Sequence, residues 1–480
     1  MPSALQRWLP LALVVALALG LRLAGIDRRP MHADEANQAV KTGELLEGRG
    51  YAFDPADHHG PTLYYAALPV AWIRGEHTLA ELTETTLRLV PALAGTASVL
   101  LLYFFARPLG RWPALVAAAL LAVSPPAVYY SRTFIQETLL LALTLGALLC
   151  GHRWWTTGRL GWALATGLCA GLMQATKASA PLFLIASLAG LAVARPARPA
   201  SFRLGRDLAF ALLAAGAAAG LLYSSFGTNL RGIPGAFSTY VAFGDRLSTE
   251  TGHEKPWWYY LSLFGWQKNG GVVTHQILFS LLALGGLGVA LVSRARPLLR
   301  WSLGYTGTVA LVLSLTAYKT PWHAIHLVPG FALLAAGAVA ALPTRAAGRV
   351  LATGLALATL ASQAAQVRLT SFQRPADERN PYAYVHTSPD VRKIKALADK
   401  VAPGQVIRVI SEEVWPLPWY LRDRPEVGYW NAPPDDCDGA LVIVSAGFAD
   451  EVQSRLHGRY TTGYVGLRPG FVLLVFTRQP

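Results

Sequence analysis

Long apolar runs recur along this chain at positions 9–26, 87–106, 112–128, 134–150, 160–176, 178–194, 208–226, 272–293, 301–317, 326–343 and 349–366. A helix crosses a hydrocarbon core with about 20 mostly apolar residues at ~1.5 Å rise each. The pattern therefore predicts a polytopic α-helical membrane protein of about eleven spans. Three connectors are too long and too polar to be simple turns: 27–86, 227–271 and the tail from 367 to 480. In the tail the pattern shortens. Ser388 to Val401 reads as a helix capped at Ser388-Pro389-Asp390 and ended by Pro403-Gly404. Val406 to Ile410, Ala440 to Val444 and Phe471 to Phe476 read as β-branched strands bounded by turn residues. The expected organisation is a transmembrane domain over 1–366 and a small α/β domain over 367–480. No internal repeat is visible, which argues against an inverted-repeat transporter.

Composition sharpens this picture. The 480 residues are 53% hydrophobic and 15% charged, against about 25% charged in soluble domains. Mean hydropathy is +0.35. A formal charge of +14 raises the question of nucleic acid, but the cations stand singly or in small groups between apolar runs and form no continuous basic stripe. Their placement reads instead as topology. Arg107 and Arg111, Arg153 and Arg159, Arg195 to Arg206, Arg294 to Arg300, and Arg345 with Arg349 all fall in connectors on one side when the N-terminus is cytoplasmic. An odd span count then leaves the C-terminus outside. Localisation as a multi-pass protein of the plasma membrane follows. The first run is too long and too weakly charged at its start for a removed signal, and no small-residue cleavage site follows it, so it reads as a retained span. Cys150, Cys169 and Cys437 make no disulfide framework.

The candidate chemistry gathers in the outside connectors. His32-Ala33-Asp34-Glu35 follows the first span directly, and paired carboxylates at a membrane surface call for an explanation. One is a helix N-terminus after Pro30, where the dipole favours acids; the other is chemistry. Arg132 and Glu137, Lys177, and Lys319 with His323 lie in short connectors on the side where cations are not expected. Any one alone is equally consistent with an interfacial side chain snorkelling to water. Three sharing a face with an acidic pair predict a site for an anionic lipid phosphate. His58 and His59, with Asp34 or Asp57, are candidate ligands of a divalent metal. Adjacent histidines point apart on a strand, so one of the two would ligate. Trp257 to Tyr260 and Trp415 to Tyr420 read as interfacial belts or as a sugar- or lipid-contacting surface.

The His32–Glu35 cluster, the run His59-Gly60-Pro61-Thr62-Leu63-Tyr64-Tyr65, and a first span followed by an Asp-Glu loop, many spans and an outer tail resemble the GT-C superfamily of membrane glycosyltransferases. Within it the chain is most similar to the protein O-mannosyltransferase and aminoarabinose-transferase group. Tyr51 to Pro55, Tyr318 to Trp322, Asn380 to Asp390 and Trp415 to Arg422 further resemble the "flippase activity-associated" family of archaeal N-glycosylation clusters and its bacterial relatives. The resemblance implies a polyprenyl-phosphate-linked sugar donor and a protein, lipid or glycan acceptor. It implies Asp34 as general base, with Glu35 or Glu137 orienting the acceptor or holding a metal. Arg132, Lys177 and Lys319, and more weakly His323, would neutralise the lipid phosphate, and His58 and His59 leave metal dependence open. The competing expectation is a non-catalytic flippase, or flippase accessory, that binds lipid-linked sugars without reaction.

Overall fold

A computed structural model describes residues 4–55, 59–197, 199, 202–248, 254–293, 296–343 and 345–480. The described chain opens with α1 (Ala4–Leu23), α2 (Ala33–Leu46), α3 (Thr62–Ile73), α4 (Glu84–Ala106), α5 (Arg111–Ala122) and α6 (Pro125–Tyr130). It continues through α7 (Gln136–Thr157), α8 (Leu160–Gln174), α9 (Ala180–Ala194), α10 (Leu204–Tyr223), α11 (Gly232–Ser248) and α12 (Tyr259–Phe264). A two-stranded hairpin, β1 (Trp266–Asn269) and β2 (Val272–His275), precedes α13 (Ile277–Val292), α14 (Pro297–Leu315), α15 (Val328–Ala341) and α16 (Ala346–Val367). The tail holds α17 (Val391–Ala398), β3 (Ile407–Ile410), α18 (Leu417–Tyr420), β4 (Val427–Trp430), β5 (Leu441–Ser445), α19 (Ala449–Ser454), β6 (Tyr460–Arg468) and β7 (Phe471–Arg478).

Each of the eleven apolar runs is mostly helical, although the run at 272–293 opens on strand β2 before α13 begins at Ile277. Among the described residues, six helical stretches are long and apolar enough to cross a membrane, against about eleven spans expected from the sequence: Gln6–Leu23, Glu84–Leu109, Leu204–Tyr223, Pro297–Leu315, Pro321–Ala341 and Ala346–Gln373. Five shorter apolar helices accompany them, among them α3 at Thr62–Ile73. The run at 112–128 is two helices, not one. Pro125-Pro126 cannot continue α5, so Ser124 turns extended (φ −71°, ψ 126°) and α6 starts afresh on the prolines. The connector 27–86 is likewise not a plain loop. It contains α2, whose buried face is Glu35, Ala36, Gln38, Ala39, Thr42 and Gly43, and α3, too short to span.

The chain divides into two compact units. The first comprises Met1–Ala24, Gly50–Ala66 and Arg88–Arg374. Its helices pack closely where small residues allow. Gly167 and Gly171 of α8 lie against the backbone of Ala211 and Ala215 of α10, so that an added Cβ would collide with each carbonyl. This is the small-xxx-small spacing by which membrane helices approach. Gly171→Val is expected to destabilise the protein by about 1–3 kcal/mol through overpacking, read as a lowered unfolding temperature in detergent. Gly216→Val, on the same α10 but facing open space, is the control that should lose far less.

The second unit comprises Gly25–Arg49, Ala67–Leu87 and Pro375–Pro480. Its sheet has strand order β4-β3-β5-β7-β6. β3 pairs in parallel with β4 and β5, while β7 pairs antiparallel with β5 and β6. The three short apolar runs of the tail are strands β3, β5 and β7; β4 and β6 lack so clear an apolar signal. β5 is buried along its length, and Ile410, Val442, Val444, Val452, Phe476 and Cys437 form one core. α17 is shorter than the predicted Ser388–Val401. Ser388 serves the preceding turn, its hydroxyl accepting from the Asp390 N–H at 3.2 Å.

Candidate functional site

Asp34 and Glu35 open α2, and the structure gives them different work. His32 is the N-cap: its Nδ1 accepts from the Asp34 N–H at 3.1 Å, and Glu35 reaches back to accept from the His32 N–H at 3.0 Å. This reciprocal capping box occupies orphan donors at the helix start. Glu35 is fully buried and lies 3.7 Å from the Arg29 guanidinium. Its carboxylate is a structural acceptor. The Asp34 side chain is 49% exposed, on the first turn, where the helix dipole favours its negative charge. Of the acidic pair, Asp34 is the one that can meet a substrate.

Because His32 Nδ1 accepts, its Nε2 carries the proton, and that N–H donates to the carbonyl of Tyr384 at 3.1 Å. The His32 ring stacks on His386, with centroids 5.6 Å apart. Between Tyr384 and His386, Val385 holds φ +44°, a left-handed conformation that costs a β-branched residue about 1–3 kcal/mol. The Met31 N–H donates to the Tyr420 hydroxyl at 2.9 Å. Next to Tyr420, buried Trp419 donates its indole N–H to Glu84 at 3.0 Å. Arg422 lies 3.8 Å over the Trp419 ring and donates to the Leu82 carbonyl at 2.8 Å. Burial pushes this guanidinium below the usual arginine range, against the pull of Glu84 and Asp423. The sequence singled out Asn380–Asp390 only by resemblance and read Trp415–Tyr420 as an interfacial belt or a sugar- or lipid-contacting surface; here both motifs touch the segment bearing Asp34 within one unit. Adjacent aromatic and histidine side chains were the only signal.

The cationic candidates lie in the other unit. Lys177, just beyond α8, forms a buried ion pair with Glu137 on the first turn of α7. The segment carrying His59 is pinned beside it. The Thr62 N–H donates to the Ala175 carbonyl at 3.0 Å, and Gly60 packs so tightly on Ala175 and Thr176 that a Cβ would not fit. His323 stands on a 3₁₀ turn, Pro321–His326, with Nδ1 3.1 Å from the Thr320 hydroxyl and 3.3 Å from that of Tyr260. Lys177, His326 and His59 are near enough to act on His323 electrostatically, and Glu137 on Tyr260. Glu137, Lys177, His59 and His323 thus form one neighbourhood, joined by Tyr260, which the sequence had placed in an aromatic belt, and by His326, which sequence reasoning missed. Arg132 is 7% exposed. It donates to the carbonyls of Leu21 and Arg22 at 3.1 Å and lies 4.7 Å over the Phe372 ring, so it caps the C-terminal end of α1. Lys319 donates to the Lys255 carbonyl at 3.1 Å and to that of Thr316; burial holds its ammonium below the ordinary lysine range.

Metal ligands do not converge among the described residues. Glu137 is taken by Lys177 and Glu35 by the cap, and no group of three His, Cys, Asp or Glu side chains is placed to hold an ion. Asp57 and His58 lie outside the described residues.

Residues 66–223 match the family model for dolichyl-phosphate-mannose-protein mannosyltransferase. No curated protein matches the chain at a significant level. Among solved structures, ArnT from Cupriavidus metallidurans bound to undecaprenyl phosphate is similar at TM-score 0.70 and 16% identity, covering 98% of each chain. The archaeal oligosaccharyltransferase AglB from Archaeoglobus fulgidus, in complex with an inhibitory peptide and a dolichol-phosphate, is similar at TM-score 0.61 and 13% identity, over 93% of this chain and 70% of that one. The arabinofuranosyltransferase AftD from mycobacteria is similar at TM-score 0.53 and 16% identity, over 99% of this chain and 40% of that one. With that overlap along its length and the mannosyltransferase match over 66–223, the chain is an integral membrane protein of the GT-C glycosyltransferase fold.

Proposed function

We propose that this protein is an inverting glycosyltransferase that moves a sugar from a polyprenyl-phosphate donor to an acceptor hydroxyl at the extracytoplasmic face of the plasma membrane. The carrying observation is the division of labour at α2: Glu35 is consumed by the capping box, and Asp34 is left half-exposed on a fixed first turn. One available carboxylate suits a single displacement. Asp34 takes the proton of the acceptor hydroxyl as its oxygen bonds to the anomeric carbon. The bond from that carbon to the phosphate oxygen breaks on the opposite face, through an oxocarbenium-like transition state, and the configuration inverts. The leaving polyprenyl phosphate gains charge, which fixed cations stabilise without reorganisation. Lys177, held by Glu137, is the foremost candidate, with His323 beside it and Arg132 and Lys319 in the same unit. ArnT with undecaprenyl phosphate and AglB with dolichol-phosphate support a lipid-phosphate donor. The acceptor class is a protein, lipid or glycan bearing a hydroxyl nucleophile.

The test is turnover by the full-length protein in liposomes, with a panel of radiolabelled polyprenyl-phosphate sugars and a lysate of acceptors. Release of polyprenyl phosphate with sugar appearing on an acceptor is the expected result. Movement of intact lipid-linked sugar across the bilayer without release would overturn it in favour of a flippase.

A further inference from the structure

Two motifs in the tail have no part in the chemistry just described, yet they converge on one place. From Asn380–Asp390 come the Tyr384 carbonyl, hydrogen-bonded to His32 Nε2, and the His386 ring stacked on His32. From Trp415–Arg422 comes the Tyr420 hydroxyl, which accepts from the Met31 N–H. Arg392, on α17, donates to the Arg28 carbonyl at 2.6 Å. Residues 28, 31 and 32 are thus held from three points of the tail, immediately before Asp34. Between Tyr384 and His386, the Val385 backbone is held in the left-handed region, at φ +44°. Strain of this kind persists only where the surroundings over-determine it. His32 is the link, for the imidazole that binds the tail through Nε2 binds the Asp34 N–H through Nδ1.

We propose that the tail is a clamp that positions Asp34, with His32 as the positioning residue through which it acts. The inference rests on the assignment of Asp34 as base. It differs from acceptor recognition, the simplest role for an extracytoplasmic tail, in what it predicts for kinetics. A clamp governs where the base stands in the transition state and so acts on kcat; an acceptor-binding surface acts on KM. The imidazole is also not exchangeable for any other cap. Asparagine at position 32 can still accept from the Asp34 N–H, but its side chain is too short to carry the hydrogen bond to Tyr384.

The experiment uses the full-length protein in liposomes and two readouts. In the transfer assay, with the donor from the panel that wild type turns over, His32→Ala is expected to lower kcat about 100-fold with KM for the acceptor nearly unchanged, since a misplacement of ~1 Å can cost that much. His32→Asn should recover part of this, and Tyr420→Phe should fall between His32→Ala and wild type. The second readout needs no turnover. The rate at which maleimide modifies Asp34→Cys should change several-fold when His32→Ala or Tyr420→Phe is added. A loss confined to acceptor KM, or an unchanged labelling rate in both double variants, overturns the clamp. If wild type turns over no donor, the transferase reading fails by itself, and the labelling rates still decide whether the tail sets the Asp34 position.

Discussion

Asp34→Asn is expected to lower sugar transfer by about 10²–10⁴-fold, the range that a general base contributes, while leaving the fold and the binding of polyprenyl phosphate in place. The reason lies in which atoms of Asp34 are already committed. The capping bond to His32 Nδ1 is made by the Asp34 backbone N–H, and the partner acid in the box is Glu35. An isosteric amide therefore keeps the cap and the shape of the site; it removes the negative charge and with it the proton affinity, at a cost of about 0.3–1 kcal/mol in the lost interaction with the α2 dipole. Glu35→Gln gives the contrasting result. It weakens the reciprocal bond to the His32 N–H and the contact with Arg29, so its cost should appear in stability, about 0.5–2 kcal/mol for a lost cap, before it appears in kcat. Polyprenyl phosphate release by wild type and by each variant, beside thermal unfolding in detergent, separates the two acids. Transfer by Asp34→Asn at the wild-type rate would remove the base assignment. Loss of transfer together with loss of the folded protein would show that the side chain was structural after all.

That division of labour also marks the limit of what the sequence could say. The His32–Glu35 cluster was visible as a chemical oddity, and Pro30 before it signalled a helix start. What could not be read was which acid would be spent on the helix, because the choice depends on side-chain geometry at N3 and on Arg29 folding over Glu35. The helices were legible because hydrocarbon imposes one rule on every backbone group, so apolar runs such as 301–317 map onto helices such as α14. The break at Ser124 was legible in principle from Pro125-Pro126, but the continuing apolarity of Ala127 and Val128 hid it. Long-range assembly left no trace in local pattern. That residues 25–49 and 67–87 pack with the tail is set by individual contacts, Met31 to Tyr420 and Glu84 to Trp419 among them, across more than 300 positions of sequence. Strand β6 was missed for a related reason. Thr461, Thr462, Gly463 and Tyr464 are exposed at a sheet edge, where little apolar signal is needed.

The ion pair of Lys177 and Glu137 supports a prediction in which stability and affinity move in opposite directions. Both side chains are largely withdrawn from solvent, Glu137 at 2% exposure and Lys177 at 12%, so removing either partner strands a charge, a loss of about 3–5 kcal/mol for a buried pair. Lys177→Met and Glu137→Gln should each lower the unfolding temperature. Their effects on undecaprenyl phosphate, as the binding probe, should differ. Lys177→Met removes a charged donor to the phosphate and is expected to weaken binding by about 10–100-fold, the equivalent of ~1.5–3 kcal/mol for a hydrogen bond to a charged group. Glu137→Gln releases Lys177 from a competing carboxylate and takes a like charge away from the phosphate, so binding should tighten even as the protein loses stability. The double variant Lys177→Met/Glu137→Leu completes the cycle. With no charge left stranded, stability should return toward wild type, since apolar replacement of a buried pair is often neutral or better. Phosphate binding should remain as weak as in Lys177→Met. A stable double variant that binds undecaprenyl phosphate as wild type does would show that the pair serves the helix packing of α7 and the turn beyond α8, and that the phosphate is neutralised elsewhere in that unit.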